Sequence, residues 1–429
     1  MGNGKKSTFY SWFVLFLITP IYFFSNLQKV IIPGAAFDEL QQAFALDAAG
    51  VTRLGALFLG VYAASQLITG VLADRYGGAR IIFAGGLIFC AGSIMSAFDN
   101  SLLLLCFSRI ITGFGAASIY LCMVKEIGRV AGSALPMILG IATLIGYTGS
   151  ITGATPFIAG VDRWGYFPMV IGTGTITFLC YLLYVVFAMR EKFPPVQKEV
   201  KFSIVSYLKV FHNPQNCSLM LSVGISFGIY FALQSTLGKK FLEDFCKLSS
   251  EKAGLVLTAT MIIAAVNGFI VANISRWTGN RRRPVIVFSG VGCFAGILMI
   301  LSGVLLNTGS WLPITGMLLM AFAGNVAPIF VAVLKESNEE HRFGTSVCVC
   351  NAFAYAISSL ACWGAGKLMD IYAPQILNGI KIYSRESYLL VFGALTLLGA
   401  VAAVLSCFIR ESFGKSIAGE FLTTSRGEK

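Results

Sequence analysis

Hydrophobic positions in this chain come in long blocks, without the alternation or the one-face periodicity of a soluble domain. Twelve predominantly apolar runs lie at about 10–34, 52–72, 80–98, 101–124, 134–160, 166–189, 215–237, 252–275, 284–306, 311–334, 343–369 and 387–410. A run of about 20 apolar residues spans the roughly 30 Å of a bilayer core as a helix. In hydrocarbon the backbone polar groups must be satisfied within the segment itself, so each run is predicted to be helical. The fold class expected is an all-α membrane protein with 12 transmembrane helices. The longest polar connection, 190–213, carries Pro194-Pro195 with Lys192, Lys198, Lys201 and Lys209, and it separates six runs from six. The domains expected are therefore a six-helix bundle over 1–189, a linker over 190–213, and a second bundle with its tail over 214–429. Phe202–Phe211 in the linker is expected to form a short amphipathic helix on the membrane surface.

Composition removes the soluble alternative: 56% of the 429 residues are hydrophobic, 12% are charged and mean hydropathy is +0.77. The net charge of +12 would suit nucleic acid, but its distribution points elsewhere. Of the 32 Lys and Arg, 21 fall in one alternating set of loops with the two tails and nine in the opposite set, while the acidic residues divide ten to ten. That asymmetry is the positive-inside bias. It places both termini in the cytoplasm and makes anionic lipid, not nucleic acid, the expected contact. The N-terminal run after Lys5-Lys6 is too long for a signal peptide and is read as the first transmembrane helix. Most of the 11 cysteines lie inside apolar runs, and Cys348-Val349-Cys350 lacks partner ligands, so neither a disulfide framework nor a metal site is expected.

Between the second and third runs stands Gly70-Val71-Leu72-Ala73-Asp74-Arg75-Tyr76-Gly77-Gly78-Ala79-Arg80. Its glycines let two helices approach and reverse, and its charges stay in water. A related stretch, Gly268…Ser275-Arg276-Trp277-Thr278-Gly279-Asn280-Arg281-Arg282-Arg283, follows the eighth run, with serine for the aspartate. The fourth run holds Arg109-Ile110-Ile111-Thr112-Gly113-Phe114-Gly115, and the eleventh follows Glu339-Glu340-His341-Arg342-Phe343-Gly344-Thr345. The chain resembles the major facilitator superfamily (MFS) of secondary transporters, whose loop signature G-x-L-A-D-R-x-G-x-[RK] the first stretch follows, with Arg80 one position late. The fifth run, Gly146-Tyr147-Thr148-Gly149-Ser150-Ile151-Thr152-Gly153-Ala154, departs from the antiporter pattern G-P-x-x-G-G. The resemblance implies two pseudo-symmetric six-helix bundles around a central site in a bacterial-type inner membrane. It also implies gating roles for Gly70, Asp74, Arg75, Gly77, Arg80 and Gly113, with Asp74 capping the eleventh helix.

Ionisable groups inside a bilayer are costly and are functional candidates by default. Lys29 and Arg109 are the only charges placed well inside a run, and all 20 Asp and Glu map to loops or run ends. A cationic interior without a carboxylate is expected to receive its counter-charge with the cargo. Lys29 also lies about 7–8 Å of helical rise from the outer end of its run, so its stem could reach the interface instead. Tyr22, Asn26 and Lys29 share one helix face; Gln28 points elsewhere. Tyr230 and Gln234 share another face, and Asn325, Asn351, Tyr355 and Ser358 add polar positions, each also suited to holding helices together. The family's central cavity is lined by helices 1, 4, 7 and 10, which raises Asn26, Lys29, Arg109, Tyr230, Gln234 and Asn325. His212 and His341 lie in loops, outside any proton relay.

Without a Walker A sequence, nucleophile elbow or HExxH motif, the chain is expected to be neither an ATPase nor a hydrolase, and to need no cofactor. The function expected is rocker-switch transport of a small organic anion, most simply a carboxylate, by a monomer close in character to bacterial organic-anion carriers. Coupling is open among H+, Na+ and a counter-anion. The alternative is a carrier for a neutral or zwitterionic solute, such as an amino acid or sugar, with Lys29 interfacial.

Overall fold

A computed structural model describes residues 2–98, 101–131, 135–190, 207–377 and 380–419. Twelve helices among them are long and apolar enough to cross a membrane. We number them α1 (Ser11–Ile31), α2 (Ala48–Tyr76), α3 (Gly78–Met95), α4 (Leu102–Val130), α5 (Ile138–Trp164), α6 (Tyr166–Ala188), α7 (Pro214–Asp244), α8 (Ser250–Trp277), α9 (Arg283–Leu306), α10 (Trp311–Ser337), α11 (Arg342–Met369) and α12 (Arg385–Ser406). A two-stranded antiparallel hairpin, β1 (Gln375–Leu377) and β2 (Ile380–Ile382), stands between α11 and α12. The chain divides into two units, residues 1–46 with 50–202, and residues 47–49 with 203–429.

Each unit is held by helices that approach at small residues, the means available where lipid removes the hydrophobic drive between helices. In the first unit Gly113 of α4 lies against the backbone of α2, where an added Cβ would stand 2.6 Å from the Phe58 carbonyl oxygen. At the α2–α3 turn Gly77 takes φ +85, a left-handed value that a side chain would strain.

Three spans are interrupted. α5 breaks after Thr152 and resumes at Thr155, with Pro156 in its new first turn. α10 breaks at Asn325 (φ −106, ψ 85), and Pro328 opens the second piece, Ala327–Ser337. α7 contains two π-helical segments, Met220–Gly224 and Leu233–Leu237, before ending in the α-helix Gly238–Asp244. Broken helices and π segments leave backbone groups available beside side chains, and they concentrate at functional sites.

The extension of α7 to Asp244 corrects the expectation that Lys29 and Arg109 are the only charges well inside a span. Lys239 and Lys240 also lie within one, and both are buried. Lys240 Nζ is 3.0 Å from Asp244 Oδ1, and Lys239 Nζ is 3.8 Å from Glu243. Both pairs are spaced i, i+4, the interval that closes one helical turn. Asp244 Oδ2 also accepts from Tyr388 Oη at 2.9 Å and from the Tyr383 amide at 3.0 Å, which ties α7 to α12 and to the end of β2. In the linker, Phe202–Phe211 is described only from Tyr207 onward; a short 3-10 turn covers Lys209–His212. The His341 side chain lies outside the described residues.

Candidate functional site

In the first unit α1, α2 and α4 bring together the buried cations and two stacked aromatic rings. Phe58 and Tyr62, one turn apart on α2, lie 6.2 Å between centroids and within 11° of parallel. Arg109, with no exposed surface, sets its guanidinium carbon 4.4 Å from the Phe58 ring centre. Lys29, 3% exposed, sets Nζ 4.4 Å from the Tyr62 ring centre and donates to Tyr62 Oη at 3.3 Å. A ring face offers a cation the negative lobe of its quadrupole, worth about 2 kcal/mol or more once water is excluded. The Lys29 ammonium is thus directed across to α2.

Arg109 completes its shell with main-chain oxygens at the end of α1. Both Nη atoms donate to the Gln28 carbonyl at 3.3 Å, and Nη2 donates to the Ile32 carbonyl at 2.7 Å. Those carbonyls stand where the helix stops supplying donors, so the arginine serves as a C-terminal cap from a neighbouring helix. Its Nε has no hydrogen-bond partner. Beside it the Gln28 side chain is fully buried, with neither amide atom bonded. Such a buried amide is costly, and it marks a place where a polar ligand or water can bind. Among the described residues no carboxylate pairs with Arg109.

The remaining α1 candidates divide between helices. Tyr22 stacks on Tyr120 of α4 at 5.5 Å, and its ring fills the space beside Gly146 of α5. Asn26 donates to its own helix at the Tyr22 carbonyl, while its carbonyl receives Ser150 of α5. Tyr22 and Asn26 therefore meet α4 and α5, and Lys29 meets α2.

In the second unit Tyr230 and Gln234 of α7 and Thr260 of α8 share a cavity of about 10 Å³, closed by Leu233, Met317 and Met320. That volume is about the least that holds one water. Thr260 Oγ1 donates to Gln234 Oε1 at 2.5 Å, and Gln234 Nε2 reaches the Leu257 carbonyl at 3.4 Å. Asn325 stands at the α10 break, donating to the Ala264 carbonyl at 2.9 Å and accepting from Asn267 at 3.0 Å. It ties the interrupted helix to α8. Tyr355 is elsewhere, edge-on to Phe227 and Phe231 at 5.4 and 5.6 Å. Asn351 is half-buried on the same helix.

At the signature loop, Asp74 pairs with Lys125 of α4 at 2.5 Å, and Lys125 also donates to the Ala73 carbonyl. Glu126, buried on α4, accepts from the Ala79 amide at 2.9 Å and from Arg129 at 2.7 Å. Arg80 bonds back to the Tyr76 carbonyl, and Arg75 lies over the Tyr76 ring. Gly70 is half-buried within α2. In the related loop of the second unit, Arg282 reaches Glu336 of α10 at 3.0 Å, and the Glu411 carboxylate accepts from the Arg282 and Arg283 amides. The acid that the sequence lost after α8 is supplied from α10 and the tail. Tyr62, Phe58, Thr260, Lys125 and Glu126 were not singled out from the sequence. The Phe58–Tyr62 interval of four was a visible signal; the others had none.

Twelve apolar spans, with α5 and α10 each broken within the span, are the frame of a polytopic membrane protein. Solved structures agree in fold. A bacterial homologue of the human lysosomal transporter Spinster, inward-facing and unoccupied, superposes with TM-score 0.75 at 16% identity over 96% of this chain and 98% of that one. A D-xylose–proton symporter gives 0.72 at 13% identity over 95% and 100%. The family model described as Major Facilitator Superfamily matches residues 14–362, so the chain belongs to that superfamily. Relatives include a choline/ethanolamine transporter FLVCR1 of Felis catus, 25% identical over 49% of this chain, and a human monocarboxylate transporter 2, 30% identical over 25% of it. These matches span 39% and 22% of the respective relatives.

Proposed function

We propose that the chain carries a small organic anion, most simply a monocarboxylate, by rocker-switch alternating access. Lys29 is the cargo's main counter-charge and Arg109 the group that couples its arrival to α1. The observation that carries this reading is the fully buried Arg109 guanidinium, met by two carbonyls and a ring, with no carboxylate among the described residues. Carbonyls and a ring balance part of a buried charge; an anion beside it balances the rest. The unbonded Gln28 amide next to it adds a donor suited to a carboxylate oxygen. The local likeness to a monocarboxylate transporter supports the same cargo class.

The likeness to a choline/ethanolamine transporter supports a second reading, a solute carrying an ammonium group. Against it, the stacked ring faces of Tyr62 and Phe58 already hold Lys29 and Arg109. Counterflow in proteoliposomes separates the two. Small monocarboxylates should exchange while choline, neutral amino acids and sugars do not, and Lys29→Gln should abolish the exchange. Choline flux that survives Lys29→Gln would replace the anion reading with the second one.

A further inference from the structure

On the second unit, the linker turn Lys209–His212, the end of α10 and the start of α11 enclose a cavity of about 70 Å³. Its walls include Lys209, His212, Ser337, Asn338, Arg342 and Ser346. Two features distinguish it from a solvated crevice. Ser337 and Ser346 are 1% and 0% exposed, and neither hydroxyl has a hydrogen-bond partner. A buried hydroxyl without a partner is destabilising, so two lining one cavity point to a ligand that accepts from them. The helix leading into α11 also begins here, at Glu340. The positive end of a long helix favours an anion.

The charges agree with that sign. Lys209 has no hydrogen-bond or ion-pair partner among the described residues, and Arg342 shares its charge with Glu339 at 3.3 Å. Among the described lining residues, Lys209 and Arg342 against Glu339 leave one positive charge before His212 is counted. A carboxylate would use two of the available donors; a phosphate offers three acceptor oxygens to the cations and the hydroxyls. The neighbouring side chains favour a lipid source for that phosphate: Leu208 and Phe211, flanking Lys209, are 55% and 49% exposed. Apolar anchors beside a lysine are the pattern of a segment seated at a membrane interface.

We propose that this cleft is a phosphate-binding site, distinct from the transport site, which holds the headgroup of an anionic lipid. The test uses the full chain in maltoside micelles, with phosphatidic acid or diacylglycerol added and retained lipid counted by native mass spectrometry. Phosphatidic acid should be retained and diacylglycerol should not. Lys209→Gln with Arg342→Gln should reduce retention about tenfold, and Ser337→Ala with Ser346→Ala about threefold. Lys209→Gln alone changes an exposed side chain and serves if the double variant does not fold. A parallel titration with inorganic phosphate identifies the source. Displacement of the lipid assigns the site to soluble phosphates, persistence assigns it to lipid, and both support the oxyanion chemistry. Wild-type retention in the charge variants would overturn the proposal. So would serine variants that gain thermal stability while holding phosphatidic acid as before.

Discussion

In the first unit Lys29 and Arg109 rest on the stacked rings of Tyr62 and Phe58, whereas in the second Lys240 closes on Asp244 at 3.0 Å. Both arrangements remove cations from water, but they differ in what is left over. The second unit's pair is electrically closed: Asp244 also accepts from Tyr388 and from the Tyr383 amide, so the whole cluster is satisfied. The Arg109 shell is made of dipoles and a quadrupole, which compensate a charge without cancelling it. A closed pair fixes structure; a partly compensated cation retains attraction for an anion that comes and goes. The loops differ in another way: the signature loop supplies its own acid, Asp74, to Lys125 of α4, whereas Arg282 takes its acid, Glu336, from α10.

The contrast can be broken most severely at Lys240. Lys240→Ala strands Asp244 in an apolar setting and should destabilise the protein by about 3–5 kcal/mol, read as a large fall in the midpoint of thermal unfolding in detergent. Joint replacement, Lys240→Met with Asp244→Leu, should recover most of that loss; failure to recover would mean that the pair does more than neutralise itself. Arg109→Met should cost less, about 1–3 kcal/mol, because it leaves the Gln28 and Ile32 carbonyls without donors but no stranded charge. Tyr388→Phe removes one hydrogen bond to a carboxylate that keeps two other partners, so a loss of about 1.5 kcal/mol is expected in the same assay. Smallest in stability is Lys29→Met, within about 1 kcal/mol, because the lost ring contact is offset by relief of the buried ammonium's desolvation, yet it should eliminate counterflow. Equal stability losses at Lys29 and Lys240 would erase the distinction between the two units.

The number and sequence of the spans were legible because 20 apolar residues in a row have few other uses. Helix ends were less so. The seventh apolar run ends at 237 because Lys239-Lys240 and Glu243-Asp244 look like a loop one residue at a time; their i, i+4 pairing is what lets the helix continue through them. The breaks on α5 and α10 sit beside Pro156 and Pro328, signals present in the sequence but overridden by the length of the apolar run. Among candidate residues, Tyr230 with Gln234 was readable from spacing, as was the burial of Arg109 from its depth in an apolar run. That Asn325 ties a helix break to α8, or that Tyr62 receives Lys29, depends on which helices are neighbours, and a single sequence does not encode that in any local pattern.

The π segment Leu233–Leu237 places one surplus residue in the turn between Tyr230 and Lys240. Removing a single residue there would restore an unbroken α-helical phase and swing Gly238–Asp244 by about 100° relative to Tyr230. The aspartate would then face away from the twelfth helix while the polar cavity stayed in place. That widened turn is thus a mechanical adapter, setting the azimuth of an anchoring end independently of a cavity-lining one, and it allows either half to be revised without dragging the other around the axis.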